Sequence, residues 1–547
     1  MERNFHPRTA SVSGPKGQKS AGWDGDERSA CPDKGGRSVQ YPSCRSAGGR
    51  MSRLVVISNR VPLPGNDSLA GGLAVALSGL LQSKGGLWFG WSGRISDDGE
   101  DTIHHQADGQ VDYATIDLCR HEHDGFYNRF ANGTLWPLLH GMPDLVRFRQ
   151  QDAATYRAVN QRFADLVSTL LKPDDFIWIH DYHFLPLAGM LRQKGLRNPI
   201  GFFLHIPFCM HETLQTVPGM DGLVREMLQA DLIGFQSTSD MDHFSQAAHQ
   251  AGLVKGLPPT LETMQGHRVR LGVFPAAIDA RGFAQTASIA MEGPEYRALQ
   301  ESLGTQSLIL GVDRLDPTKG LRQKIGAYRQ FLLRHPEWRE LTSLLQIAAA
   351  SRQDVEAYRR LKEDVTREAG AINAEMGTPH WQPLRLVTQA GRREIIAGYM
   401  RLAKVALVTP ARDGMNLVAK EFIAAQRPED PGVLILSRFA GAADHLEEAL
   451  IVNPHDQDSL AETIARALSM PLAERRARWE ALWQRLQQED PVKWGRSFLA
   501  SLMRSTHHPA SYIPTNRLPH THTSIIRAGS RPVGVHKQGA SKNFSHH

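Results

Sequence analysis

A chain of 547 residues, 41% hydrophobic and 22% charged, is too long for one ordinary core and has the balance of a folded soluble protein, so two domains with tails are expected. Its formal charge of +6 is too small for a histone-like partner or a polybasic membrane anchor, and it suits anionic substrates. Cys31, Cys44, Cys119 and Cys209 form no CxxC pair, which points to a reducing compartment and away from a zinc or disulfide framework.

Residues 1–50 are rich in Gly, Ser, Arg and Lys and contain no apolar signal core. They read as a disordered extension, or as an over-called start with Met51 as the initiator. Met51 opens a first strand, Leu54-Val55-Val56-Ile57-Ser58. Apolar runs then alternate with amphipathic helical stretches. The first series holds Phe176–Ile179, Ile200–Leu204 and Leu232–Phe235; the second holds Leu308–Val312, Leu344–Ile347, Leu384–Val387, Val405–Val408 and Val433–Leu436. Runs without alternation fit strands buried on both faces of parallel sheets, and their alternation with helices predicts an α/β chain of two doubly wound, Rossmann-like domains. The expected division is 51–285 and 286–490, with Gln285–Glu295 as linker, a helix at 491–506 returning to the first domain, and a disordered His-rich tail over 507–547. No run approaches the ~18 apolar residues of a membrane span.

In open α/β sheets ligands bind beyond the carboxyl ends of the strands, so the loops there are the place to look for chemistry. Arg60 follows the first strand, and Gly71-Gly72 begins the next helix, where bare N–H groups can meet phosphate. After the second series opens, Arg314 and Lys319 can converge on a diphosphate, each charge-assisted bond contributing about 1.5–3 kcal/mol. Arg352 adds a cation after the next strand. The run Arg412-Asp413-Gly414-Met415-Asn416-Leu417-Val418-Ala419-Lys420-Glu421 combines a sugar-binding carboxylate, helix-start amides and a second carboxylate one turn on. In the first half, Phe176–Ile179 ends in His180-Asp181-Tyr182-His183; a zinc pair there lacks a third ligand, so Asp181 reads as a hydroxyl partner. His205 is similarly placed. Trp88 to Trp91, Tyr127 and Trp136 offer faces for sugar rings or fill the core. A solvated charged loop, a helix cap or a core histidine would account for any one of these features taken singly.

Taken in order, the motifs SNR, AGG, LWFGWSG, WIHDYH, GFFLHIPF, RLD followed by KG, RDGMNLVAKE and SRFAGAA resemble the trehalose-6-phosphate synthase family of retaining glycosyltransferases over residues 51–505. The resemblance implies a GT-B architecture, two facing domains with a cleft between them. It implies UDP-glucose as donor, with Arg314 and Lys319 on its diphosphate, Gly71 and Gly72 approaching from the facing domain and Asp413 on the transferred glucose. Leu417, Val418, Ala419 and Lys420 would line the nucleotide, and Glu421 would bind ribose. Glucose 6-phosphate would be gripped by Arg60, Tyr127 and Arg352, with Asp181 on its sugar. Trp136 and His205 match positions tied to anomer selectivity and glucose placement. Asp181, His205, Arg314, Lys319 and Asp413 form the implied catalytic set.

The scheme implies retention by front-face attack and requires no metal. Asp24-Gly25-Asp26 and Asp456-Gln457-Asp458 have DxD spacing but lie in a tail and at a helix cap. A cytoplasmic homo-oligomer with no nucleic-acid or membrane partner is expected. Three departures bear on loop shape and donor preference: Cys209-Met210-His211-Glu212 replaces a Pro-rich continuation, Pro317 stands where an aromatic is common, and Pro275-Ala276-Ala277-Ile278 lacks a glycine. The open alternatives are a glycerol 3-phosphate acceptor and a silent sugar-phosphate-binding subunit.

Overall fold

The computed structural model describes residues 52–64, 77–82, 85–97, 101–352 and 354–506. Its strands run β1 (Leu54–Arg60), β2 (Gly86–Ser96), β3 (His104–Asp108), β4 (Val111–Cys119), β5 (Phe176–His180), β6 (Ile200–Phe203), β7 (Leu232–Phe235), β8 (Val254–Leu257), β9 (Thr260–Thr263) and β10 (Arg268–Val273). These pair in the order β3-β4-β2-β1-β5-β6-β7-β10-β9-β8. A second sheet has the order β13-β12-β11-β14-β15-β16, from β11 (Ser307–Arg314), β12 (Thr342–Ala349), β13 (Leu384–Val387), β14 (Val405–Val408), β15 (Val433–Ser437) and β16 (Leu450–Val452). All six strands of the second sheet pair in parallel.

The unbroken apolar runs have a direct cause. In β1, Val55 and Ile57 enter one core while Leu54 and Val56 enter another on the opposite face. In β11, Ile309 and the pair Leu308 and Leu310 divide in the same way. A strand covered on both sides has no solvent face to demand polar residues, so helices pack on both faces of each sheet.

Among its parallel strands each sheet reverses its order once, at β1/β5 in the first and at β11/β14 in the second. Loops diverge at such a reversal and leave a crevice at the carboxyl ends. Arg60 and Arg314 end β1 and β11, while Asp181 and Asp413 follow β5 and β14.

The stretch Gln285–Glu295, expected as a linker, is mostly helical. One helix covers Ala280–Ala290 and the next begins at Pro294. Ile278, Phe283 and Ala287 already lie in the core of the second sheet, so the chain crosses before residue 285. The Ala-, Ser- and Thr-rich composition concealed that spacing.

The helix Pro491–Thr506 returns to the first sheet. Phe498 stacks on Trp178 at 4.5 Å, and Trp494, Leu499 and Leu502 join the same core. Gly201 of β6 and Gly234 of β7 make room for it: a Cβ on either would stand 2.6 and 2.8 Å from the Phe498 ring.

Candidate active site

Three stretches of the chain meet at the buried carboxylate of Asp316. Trp136 donates from Nε1 to its Oδ1 at 3.3 Å, and Thr318 donates from both its amide and its hydroxyl at 3.0 and 2.9 Å. Tyr358 donates to Oδ2 at 3.2 Å, and Arg314 lies 3.4 Å from the same oxygen. Burial alone would favour the neutral acid. Arg314, Arg352 and Lys319 outweigh it and hold the Asp316 pKa well below the usual carboxylate range.

Arg352 joins the two halves of this cluster. Its backbone is left-handed, with φ 47. One guanidinium nitrogen donates to the Tyr358 hydroxyl at 2.5 Å and another to the Tyr182 hydroxyl, beyond β5, at 3.0 Å. The charged plane lies 4.0 Å from the Trp136 ring centre, with Arg314 at 5.3 Å. Tyr182 in turn donates to Asn132 at 2.8 Å. Trp136 is therefore walled in by two cations and a carboxylate. His140, its ring tilted against Trp136 with centres 4.3 Å apart, has its Nδ1 at 2.7 Å from the Trp136 carbonyl. Burial pushes the His140 pKa down to about 4, so the ring is neutral at physiological pH.

Lys319 donates to Asp413 Oδ2 at 2.5 Å, and the same oxygen accepts from Asn416 at 3.0 Å. Asn416 sits at φ 78 and caps the helix Leu417–Ala425 by accepting the Ala419 amide at 3.3 Å. The capping bond uses the third amide of the helix, so Leu417 and Val418 present the first-turn N–H groups that have no intrahelical acceptor. Gly414 precedes them at a point where the loops of the two sheets touch: a Cβ there would stand 2.2 Å from the His205 carbonyl oxygen.

Across the crevice, Asp181 occupies φ 74 and accepts the His205 amide at 3.1 Å. Burial raises its pKa to about 6, although the backbone amides of His205 and Tyr182 and the charge of Arg352 act the other way. Between the ordinary carboxylate value and 6 the folded chain keeps a proton that the unfolded chain releases, so this group's contribution to stability falls as pH rises through that window. An Asp181→Asn variant keeps the shape without the titration. Its melting-temperature advantage over the native chain should grow from about pH 4 to about pH 7; a gap constant with pH would refute that assignment.

Arg60 lies 5.6 Å from the Trp91 ring centre, and Tyr127 is 5.7 Å from the same ring and stacked on His183 at 5.8 Å. Trp88, by contrast, is core, with its Nε1 bonded to Ser58. The sequence-expected residues thus gather as Arg314, Arg352 and Trp136 around Asp316, Lys319 with Asp413, Asp181 with His205, and Arg60 with Tyr127 around Trp91.

Others stand apart. Lys420 is fully buried, donating to the Ala276 carbonyl at 2.8 Å and paired with Glu489 at 2.5 Å, so only its backbone is left to face a ligand. Glu421 has Arg393 at 3.5 Å, and burial raises its pKa. Gly71 and Gly72 lie outside the described residues, as do Asp24 and Asp26. Asp456 caps a helix through the Ser459 amide, and Asp458 pairs with Arg334. Among the described residues no group of three or more His, Cys, Asp or Glu is placed to hold a metal ion. Asp316, Tyr182, Tyr358, His140 and Asn416 were not singled out from sequence. Asp316 and Tyr182 sit inside quoted motifs, whereas Tyr358 lies in an amphipathic helix that carries no functional signal.

The sequence matches the profile of Glycosyltransferase family 20 over residues 58–504. It is 43% identical over 460 residues to a trehalose-6-phosphate synthase of Sinorhizobium fredii, covering 83% of this chain and 99% of that one. A crystal structure of an alpha,alpha-trehalose-phosphate synthase (UDP-forming) from Burkholderia vietnamiensis superposes with a TM-score of 0.82 at 42% identity, over 83% of this chain and 98% of that one. A Burkholderia xenovorans enzyme of the same description, in complex with glucose-6-phosphate, gives 0.80 at 40% identity, over 83% and 100%. With the profile spanning most of the chain and the fold shared at this identity, the chain belongs to glycosyltransferase family 20 and has the GT-B architecture of two parallel-sheet domains.

Proposed function

We propose that this glycosyltransferase moves glucose from UDP-glucose to glucose 6-phosphate, giving α,α-trehalose 6-phosphate and UDP. The observation that carries the reading is the Lys319–Asp413 contact at the strand-order reversal of the second sheet, immediately before the bare amides of the helix Leu417–Ala425. An ammonium, a carboxylate and a helix N-terminus side by side suit a diphosphate joined to a sugar. The glucose 6-phosphate bound by the Burkholderia xenovorans relative supports the acceptor.

In this reading Arg314 and Lys319 hold the donor diphosphate, Leu417, Val418, Ala419 and the Lys420 backbone line the nucleotide, and Glu421 accepts from ribose. Gly71 and Gly72 approach the donor from the other side. Arg60, Tyr127 and Arg352 grip the acceptor phosphate, Asp181 its sugar. The acceptor's anomeric hydroxyl attacks C1 of the donor glucose as the bond from C1 to the diphosphate oxygen breaks. The hydroxyl proton passes to that oxygen on the same face, so configuration is retained. Negative charge builds on the leaving diphosphate, where Arg314 and Lys319 stabilise it. Asp413, its Oδ2 held by Lys319 and Asn416, binds the transferred glucose rather than attacking it. Trp136 and His205 fix anomer and ring placement. No step uses a metal ion. A cytoplasmic location and a homo-oligomeric state belong to the same reading and are open to cell fractionation and light scattering.

The test incubates the full chain with UDP-[¹⁴C]glucose and either glucose 6-phosphate or glycerol 3-phosphate. Labelled product is expected with the first acceptor, with both anomeric centres α by NMR. Product with glycerol 3-phosphate alone would overturn the assignment.

A further inference from the structure

We propose that Gln236 is a positioning residue that locks the His205 imidazole in one tautomer, with Nδ1 a bare acceptor and the Nε2 proton donated to His180. The functional meaning rests on the reading of His205 as a group beside the transferred glucose.

The assignment starts from a backbone amide, which can only donate. Ala276 N–H lies 2.9 Å from Gln236 Oε1 and so fixes which end of the side-chain amide is oxygen. The other end, an NH₂ that can only donate, lies 3.4 Å from His205 Nδ1. Nδ1 must therefore accept. A neutral imidazole with a bare Nδ1 carries its proton on Nε2, and His205 Nε2 is 2.9 Å from His180 Nδ1, which accepts in turn. The remaining proton sits on His180 Nε2, for which no partner is found among the described residues.

Gln236 and His180 are 3% and 1% exposed, so solvent does not supply a competing donor to either. Ala276 is held from its other side as well. Its carbonyl accepts from the buried ammonium of Lys420, which is ion-paired with Glu489. The Lys420 side chain thus acts on His205 through the Ala276 peptide and Gln236, not on a nucleotide.

The opposite tautomer would aim His205 Nδ1–H at the Gln236 NH₂. Relieving that clash would require Gln236 to turn over and set its NH₂ against Ala276 N–H. Protonating His205 at Nδ1 meets the same obstacle. With Nδ1 accepting from Gln236 and the Nε2 proton given to His180, both ring nitrogens are committed, so the imidazole plane beside the sugar is fixed and has no proton to give a sugar hydroxyl.

The test reads the imidazole ¹⁵N signals of the full chain without substrates, with a His205→Asn variant identifying the His205 resonances. The native chain should show a protonated Nε2 and a bare Nδ1. In Gln236→Glu, one carboxylate oxygen takes the Ala276 amide and the other demands a proton from Nδ1, so the tautomer should invert or the ring become charged. kcat should then fall on the order of tenfold. Gln236→Met, which keeps the bulk and guards against a folding defect, should show both tautomers and a smaller loss. An Nδ1–H signature in the native chain, or an unchanged kcat once the tautomer has inverted, overturns the proposal. Because the NMR signature is taken without substrates, an enzyme with a different sugar specificity would fail the transfer assay and leave the signature intact.

Discussion

Lys319→Ala should lower kcat by about 10²–10³-fold, the loss that follows removal of one charged donor to a developing oxyanion. The effect has two sources. The leaving diphosphate loses a cation, and Asp413 loses the partner that holds Oδ2 in place. Burial works to raise the Asp413 pKa, but Lys319 brings it below its ordinary value. A depressed carboxylate contributes stability above the unfolded pKa, and that contribution disappears as pH falls through the folded value. The variant should therefore be less stable than the native chain near neutrality, by about 3 kcal/mol, and the gap should close in acid. Its pH–rate profile should also acquire an acid limb at higher pH, as Asp413 becomes easier to protonate. A variant with native kcat, or with a stability gap that widens in acid, would contradict the roles given to the pair.

Arg352→Ala should raise the KM for glucose 6-phosphate by about 100-fold, the equivalent of one or two charge-assisted hydrogen bonds. UDP affinity should stay within about threefold, since Arg352 is assigned to the acceptor and not to the donor. The guanidinium also spans Tyr182, just past β5 of one sheet, and Tyr358, on the helix Glu356–Met376 of the other, so its removal unties a bridge as well as a phosphate grip. Arg352→Lys separates the two contributions. An ammonium keeps the charge but cannot bond both hydroxyls with a planar fork, so KM should land between native and alanine. Calorimetry with UDP and glucose 6-phosphate decides the matter: equal weakening of both ligands would sink the division of labour.

Much of this architecture was legible because both sheets are covered on both faces. The runs in β1, β5, β11 and β14 are apolar without interruption, and their loops begin where the runs end. Edge strands left no such trace. β3 is exposed at every position and β8 at three of four, so their sequences look like loops. The segment His123–Leu135 winds as a wide helix that follows neither the 3.6-residue nor the alternating pattern. In the site, charges just past a strand could be anticipated one by one. What escaped was their partnership: Asp316 joins its neighbour Arg314 to Trp136, Arg352 and Tyr358 from far away in the chain. Lys420 misled for the complementary reason. Its place in the RDGMNLVAKE run suggests a residue that lines the nucleotide, while its side chain turns into the protein.

The contacts of Lys420 also bear on how the molecule moves. The chain passes between its sheets twice, outward after β10 and back before the helix Pro491–Thr506. The Lys420 ammonium touches both passages, through Ala276 on one and Glu489 on the other, and Trp494 Nε1 ties them again at the Phe274 carbonyl, 2.9 Å away. Two crossings fastened side by side act as a single hinge pin. The cleft can swing wider or narrower about that line, whereas a sideways shear would have to break a buried ion pair. That lysine sits on the helix Leu417–Ala425, whose first-turn amides stand at the crevice, so the door and its latch share one helix.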